Sequence, residues 1–260
     1  MSLPPPLTAL SDLDTQLAGS GYAVIDAASL ARLCGLDSTA LRHWDACWDD
    51  LPPDGWLRDG GRYRRRRHGC FVVTPGTAPA ARRVSQAPHR AHWQPVEYNA
   101  LHGGIERWFE PIPPAMTEDP AWARLLASLA ERCATLRGDR QATWYVEAHP
   151  FRIDTTDGIG RPTPEGAHRD GVDVVVVILV GRSHIKGGET RVFDARGPQG
   201  MRFTLAEPWS ALLLDDERVI HESTPIQPAD AAGQPGPGSH RDTLVLTFRR
   251  GGFQGPAAAG

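Results

Sequence analysis

Pro164-Glu165-Gly166-Ala167-His168-Arg169-Asp170-Gly171 leads straight into Val172-Asp173-Val174-Val175-Val176-Val177-Ile178-Leu179-Val180, whose last seven residues form the longest apolar run in the chain. A run of that length behind a glycine-bearing turn reads as a buried strand. The turn itself carries an imidazole and a carboxylate. His168 and Asp170 are two residues apart, so on an extended chain their side chains leave the same face.

The same strand-like pattern extends to both sides. Trp144 to His149 precedes the apolar run, and Thr190 to Asp194, Met201 to Leu205, Ala211 to Leu214 and Thr243 to Phe248 follow it. Turns such as Lys186-Gly187-Gly188 and Gly197-Pro198 separate them. The N-terminal half reads differently. Ala9 to Ala18 predicts a short helix, Gly21 to Asp26 a strand, Asp37 to Trp48 a helix, and Cys70 to Val73 a short strand. Pro120 to Leu136 predicts a longer helix, with Asp119 as its N-cap and Trp122, Leu125, Leu126, Leu129 and Cys133 on one face. Leu51 to Arg67 is expected to be irregular, its basic run Arg62 to Arg67 a solvated face rather than a nucleic-acid patch, with one arginine able to meet a substrate carboxylate. Helices first and strands afterwards argue for an α+β chain with a barrel or sandwich in its C-terminal half. Gly233 to Gly238 is expected to be a flexible insertion and Gly251 to Gly260 a loose tail.

Bulk composition narrows the chemistry. The chain has 260 residues, is 40% hydrophobic and 23% charged, and so has ample material for a core. Of its 28 basic residues only Lys186 is a lysine, and Gly187 follows it, which excludes a P-loop and argues against Schiff-base chemistry. The net charge is −3, so no global field favours nucleic acid or an anionic membrane. No apolar run is long enough to span a bilayer, and Met1 to Pro6 has no signal-peptide character. Cys34, Cys47, Cys70 and Cys133 form no Cys-x-x-Cys pair, as expected of reduced thiols in a cytoplasmic protein. Ten histidines are the richer source of metal ligands.

Ala211-Leu-Leu-Leu-Asp-Asp216 reads as a strand and a polar turn, followed by Val219-Ile220-His221 at the head of a loop. His168, Asp170 and His221, the last 51 residues beyond Asp170, are the set needed for a 2-His-1-carboxylate facial triad, which holds a non-haem Fe(II) on one face. His-x-Asp alone is common by chance; the buried strand behind it and the later histidine give it weight. Asp215, Asp216 and Glu217 compete as ligands, although their place before His221 favours an Asx-type turn. Arg241 opens the last strand and shares a face with Thr243. A buried arginine needs an anion: either a ligand carboxylate, or a salt bridge to Asp242 or Glu222.

The order His-x-Asp, a distant His and then Arg-x-Thr resembles that of the Fe(II)/2-oxoglutarate-dependent dioxygenases. More narrowly, the chain resembles the bacterial subfamily of L-isoleucine 4-hydroxylase and related free-amino-acid hydroxylases. The similarity is carried by Gln94-Pro-Val-Glu-Tyr-Asn99, Gly103-Gly104-Ile-Glu-Arg107, Pro164 to Gly171, Gly187-Gly188-Glu189 and Leu214 to His221, continuing to Thr224-Pro225-Ile226. It spans residues 20 to 250; the loop from Gln227 to His240 is long beside the family pattern. The resemblance implies a double-stranded β-helix (jelly roll, cupin-like) behind an N-terminal helical layer. The single domain 1–260 would comprise an extension 1–20, a helix-rich part 21–142, a jelly-roll core 143–250 and a flexible tail 251–260. It also implies Fe(II) on His168, Asp170 and His221, and 2-oxoglutarate with its distal carboxylate on Arg241 beside Thr243. O2 is the second co-substrate, succinate and CO2 are released, and ascorbate supports the reaction in vitro.

Further contacts are expected from the same pattern. Thr190 would touch the co-substrate, and Gln94, Tyr98, Asn99 and Arg107 the substrate. His149 shares a strand face with Glu147 and Phe151, and either lines the pocket or is a structural histidine. Trp44, Trp48, Trp108 and Trp122 are expected in the core. The expected partner is a small amino-acid-like molecule, not nucleic acid or membrane; oligomeric state leaves no sequence signal. Three alternatives stand: the same chemistry on a peptide or carrier-bound substrate, a cupin-like metalloenzyme that does not use 2-oxoglutarate, and a non-catalytic jelly-roll binding module. The last would be expected to have lost a triad residue.

Overall fold

The computed structural model describes residues 3–37, 39–76, 82–229 and 235–256. Its helices are α1 (Leu13–Ser20), α2 (Ala27–Leu33), α3 (Pro114–Thr117) and α4 (Pro120–Arg137), with 3-10 turns at Leu10–Asp12 and Ala40–Trp48. The strands are β1 (Tyr22–Ile25), β2 (Arg64–Arg66), β3 (Gly69–Thr74), β4 (Arg83–Gln86), β5 (Trp144–Asp154), β6 (Val174–Ser183), β7 (Ile185–Gly187), β8 (Thr190–Asp194), β9 (Gly200–Phe203), β10 (Ala211–Asp215), β11 (Val219–Ser223), β12 (Ile226–Pro228) and β13 (His240–Arg249). Among the described residues, no helix is long and apolar enough to cross a membrane.

The large sheet runs β1-β10-β6-β13-β5-β3-β4, with β2 also paired to β5; β11-β8-β9 and β12-β7 form two smaller sheets. The paired strands are antiparallel throughout, which gives the jelly-roll arrangement that the strand-rich half suggests. Alternation along the strands sorts their side chains. On β5, Trp144, Val146 and Ala148 join the main core, whereas Tyr145, Glu147, His149, Phe151 and Ile153 face a cavity. On β13, Leu244, Leu246 and Phe248 join that core, while Arg241, Thr243, Val245, Thr247 and Arg249 face the cavity. A second core, with Val175, Leu179, Phe203 and Leu212, fills the space between the sheets.

The helical layer covers the outer face of the large sheet. Asp119 caps α4 by accepting a hydrogen bond from the Ala121 N–H at 2.8 Å, and Gly138 ends it in a left-handed conformation. The buried face of α4 holds the five residues its period predicts. Trp44 packs edge-on against Trp122 and Trp209, and Trp48 against Trp209. The Trp48 indole N–H reaches through this layer to the carbonyls of Phe151 and Thr243, at 3.1 and 3.2 Å, clasping β5 to β13 from behind.

Several local expectations give way. Asp37 does not start an α-helix: its carboxylate accepts bonds from the Thr39 N–H and hydroxyl, and the segment continues as a 3-10 helix from Ala40. The basic run is a solvated face only in part: Arg62 is exposed, but Arg64 and Arg66 lie on β2 with their side chains buried. Four identical residues carry no apolar alternation, so that strand has no pattern to betray it. Trp108 is exposed rather than in the core. His221 lies within strand β11, not in a loop. Of the expected insertion, residues 233–234 lie outside the described part, as do 257–260 of the expected tail. Tail residues Phe253 and Gln254 are ordered, and pack across the cavity.

Candidate active site

His168 and His221 face each other as an isolated antiparallel bridge, each backbone N–H bonded to the other's carbonyl, at 3.0 and 2.9 Å. That pairing sends both rings to one side, with centroids 4.7 Å apart. Asp170 completes the set: its carboxylate oxygens lie 3.7 Å from His168 Nε2 and 3.4 Å from His221 Nε2. Each residue offers one ligand atom, all within 4.8 Å of one another, which suits ligand bonds of ~2.1 Å to a common ion. His168 Nδ1 donates to the Gly166 carbonyl at 2.9 Å, which leaves Nε2 free to bind a cation. His221 Nε2 is buried without a hydrogen-bond partner, as a metal ligand would be.

The loop that presents Asp170 is held from three directions. Asp216 accepts hydrogen bonds from the backbone N–H groups of Asp170, Gly171 and Val172, at 3.0, 2.8 and 3.1 Å. This carboxylate is therefore a scaffold and not a ligand, while Asp215 makes the expected turn contact to the Glu217 N–H. Gln94 donates to Asp170 Oδ1 at 3.0 Å, and Gln254 donates to the carbonyls of Asp170 and Gly171. Gly171 has a φ of +74°, and any Cβ there would strike the Tyr98 ring at 2.4 Å. Burial raises the Asp170 pKa, but His221 and His168 more than offset it and bring it to about 2.

Arg241 is 3% exposed, and its Nε and Nη2 have no protein partner. Neither rival salt bridge exists. Asp242 pairs with Arg152 on the opposite face, at 2.7 Å, and Glu222 pairs with Arg191 at 3.1 Å. Burial and the neighbouring Arg182 charge lower the Arg241 pKa to about 10. Its open hydrogen-bonding capacity and its place in the triad's cavity fit the distal carboxylate of a co-substrate. Thr243 lines the same cavity; Thr190 is buried opposite Ser223 and is not part of the lining.

The residues expected to touch substrate divide into two groups. Gln94 accepts bonds from Asn99 and Arg107, at 3.1 and 2.9 Å, and passes the restraint to Asp170. Gln94, Asn99, Arg107 and His149 line the cavity, while Tyr98 braces Gly171 from outside the lining. The arginine run offers one residue for a substrate carboxylate without saying which; Arg64 and Arg66 of that run share the cavity with His92 and Glu165. One signal was available: on a β5 read as alternating, the cavity-facing Glu147 is a buried charge in need of partners. His92 and His68 supply them, at 2.6 and 3.1 Å.

His68, His92, Glu147 and His149 also present ligand-type atoms within 4.8 Å of one another. Arg66 decides their role. Its guanidinium can only donate, and it donates to His149 Nδ1 at 2.7 Å, so the ring proton sits on Nε2, the atom facing Glu147. A cation at Nε2 would have to displace that proton beside a fixed positive charge. His149 is thus set against metal binding, while His68, His92 and Glu147 form a buried hydrogen-bonded cluster that offers ligand-type atoms of its own.

That network makes the fold sensitive to acid. Burial lowers the His92 pKa to about 3, and burial together with the Arg66 charge holds His149 well below its ordinary value. An unfolded histidine takes up a proton near pH 6.5, so stability is full above that pH and falls below it. The loss is up to ~1.4 kcal/mol per pH unit for each buried neutral ring. Burial alone would raise the Glu147 pKa, but its histidine contacts depress it, so its contribution is likewise lost in acid. Thermal melts are expected to show the midpoint falling from pH 6.5 to 5, with a shallower fall in His149→Gln. Superimposable melts over that range would contradict the buried neutral rings.

Known proteins place these features in a wider frame. Among curated proteins none matches the chain. A solved bsmA homologue from Methylobium petroleophilum PM1 is 53% identical over 98% of both chains, with a TM-score of 0.88. IDO from Bacillus thuringiensis shares the fold at 16% identity, over 94% of this chain and 100% of its own, with a TM-score of 0.71. The Fe(II)/(alpha)ketoglutarate-dependent dioxygenase TqaL does so at 18% identity, over 93% and 87%, with a TM-score of 0.65. A family model for the 2OG-Fe dioxygenases matches residues 45–247, a span that takes in the histidine pair, Asp170 and Arg241. The chain belongs to the 2OG-Fe dioxygenase family, and is an enzyme that uses Fe(II), 2-oxoglutarate and O2.

Proposed function

We propose that this enzyme hydroxylates an unactivated C–H bond of a free L-amino acid or a small amino-acid derivative, releasing succinate and CO2. His168, Asp170 and His221 would hold the iron, and Arg241 with Thr243 beside it the distal carboxylate of 2-oxoglutarate. Bound Fe(II), with 2-oxoglutarate and O2, supplies an oxidant strong enough to attack an aliphatic carbon. The chain's own residues position the substrate and exclude water. Asp216, Gln94 and Gln254 fix Asp170, while Val172, Val177 and Val245 offer apolar wall for a side chain.

The observation that carries a small substrate is the limited size of the cavity. Phe253 and Gln254 line a cavity of about 140 Å³ that the triad and Arg241 share. Room must remain there for both co-substrate and substrate, which favours a molecule of amino-acid size over a peptide. Kinship with the L-isoleucine 4-hydroxylases belongs to the same proposal, supported by the segments from Gln94 to Arg107 and Pro164 to Gly171. So does a cytoplasmic location, supported by four free cysteines. The 2OG-Fe family membership removes the cupin-like alternative that dispenses with 2-oxoglutarate.

The test is succinate release with Fe(II), ascorbate and O2 against a panel of the common L-amino acids and their N-acyl forms. At least one is expected to accelerate release well above the substrate-free rate. Release that no member of the panel accelerates would overturn the free-amino-acid proposal.

A further inference from the structure

The cavity contains buried guanidiniums that the co-substrate does not use, with the carboxylates of Glu147 and Glu165 in the same lining but not paired to them. Arg241 accounts for one carboxylate. Arg66 and Arg107, 3% and 2% exposed, also line the space, and neither has a carboxylate within salt-bridge distance among the described residues. Arg64, by contrast, is paired with Asp54 at 2.7 Å. A guanidinium taken out of water without an anion is costly, and two near each other are more so.

The setting of Arg66 is that of a built binding group. Its Cζ lies 4.0 Å from the Phe109 ring centroid and 4.3 Å from that of Phe151, so rings cover the guanidinium and leave its edges for hydrogen bonds. Nη2 is spent on His149 Nδ1, while Nε is buried without a partner. Arg107 repeats the pattern: Nη2 donates to Gln94, and Nε is buried and unpartnered. Burial and the Arg64 charge lower the Arg107 pKa to about 10, the same direction and value as Arg241.

From this geometry we infer that Arg66 and Arg107 form a second carboxylate subsite, distinct from Arg241, which takes the carboxylate of the primary substrate. The inference deepens the proposed function by making an anionic carboxylate an obligatory part of the substrate. Beyond the subsite, Val172, Val177 and Val245 leave room for an aliphatic chain. A substrate whose carboxylate is esterified or amidated, as in the middle of a peptide or on a carrier thioester, would leave both guanidiniums unpaired.

The probe is a matched pair, 4-methylpentanoate and its primary amide, titrated anaerobically into the enzyme loaded with Fe(II) and 2-oxoglutarate. Binding is followed by the charge-transfer band of the complex and by the thermal midpoint. The acid is expected to bind at least ~30-fold more tightly than the amide, the range for a buried charge-assisted pair. In Arg66→Gln, which keeps a donor for His149, that preference is expected to collapse, chiefly through weaker binding of the acid. Arg66→Lys, which keeps the charge without the fork, should fall between. Equal affinity of acid and amide in the unmodified enzyme would overturn the inference, and so would a preference left intact in Arg66→Gln. The outcome separates from that of the amino-acid panel: an acid preference with no accelerated succinate release would sink the proposed function and leave this subsite standing.

Discussion

His168→Ala is expected to abolish succinate formation, by at least ~10³-fold, and to remove tight Fe(II) binding. The ring is held by its own backbone bridge to His221 and by the Nδ1 contact to Gly166, so its Nε2 has a fixed direction. Removing it leaves one imidazole and one carboxylate, too few to hold an ion on a face while leaving positions open for co-substrate and O2. Anaerobic Fe(II) titration should show the loss directly, without reference to turnover. Retention of a tenth of the turnover, or of unmodified Fe(II) affinity, would mean that His168 is not a ligand. The thermal midpoint of the metal-free variant is a useful companion, because the backbone bridge to His221 does not depend on the side chain.

Arg241→Ala is expected to act on a different quantity. With Asp242 committed to Arg152 and Glu222 to Arg191, the Arg241 guanidinium has no protein anion to lose. Truncating it removes one side of a buried charge pair, a loss of about 2–5 kcal/mol, which puts the 2-oxoglutarate KM up by ~30-fold or more. Turnover at saturating co-substrate should suffer far less. Arg241→Lys is expected to recover part of the affinity, since it restores the charge but not the two-pronged geometry. An unchanged co-substrate KM in Arg241→Ala would remove this residue from the binding site.

How far the sequence carries depends on whether neighbours in space are also neighbours in pattern. His168 and Asp170 sit two apart before an apolar strand, so local periodicity alone puts them on one face. Arg241 and Thr243 are legible in the same way. The α4 face reads from its period because one helix holds all its members. Arg66 is different: its importance comes from Phe109 and from Phe151 and His149 on β5, which lie on two other parts of the chain. Glu147, His92 and His68 are likewise assembled by folding and not by spacing. Gln94 and Arg107 are singled out by the family pattern, but their link to Asp170 appears only once the side chains are placed. The tail fails for a compositional reason: Gly251-Gly252 and the alanines near the end look unstructured, although Phe253 and Gln254 between them have a surface to pack on.

The position of β13 between β5 and β6 also sets an order of assembly. Chains emerge from the ribosome N-terminus first, so β5, β6 and the whole His168, Asp170, His221 set are synthesised before the strand that separates β5 from β6 in the sheet. Until β13 arrives, the two strands expose the edges it will occupy, and Arg241 and Gln254 have yet to reach the cavity. The proposed iron ligands are therefore the early products of translation and the proposed co-substrate anchor is the late one. A nascent chain stalled before residue 240 would carry the His168, Asp170 and His221 set without Arg241 or Gln254 and with a gap in its sheet, a species that chaperones would have reason to hold.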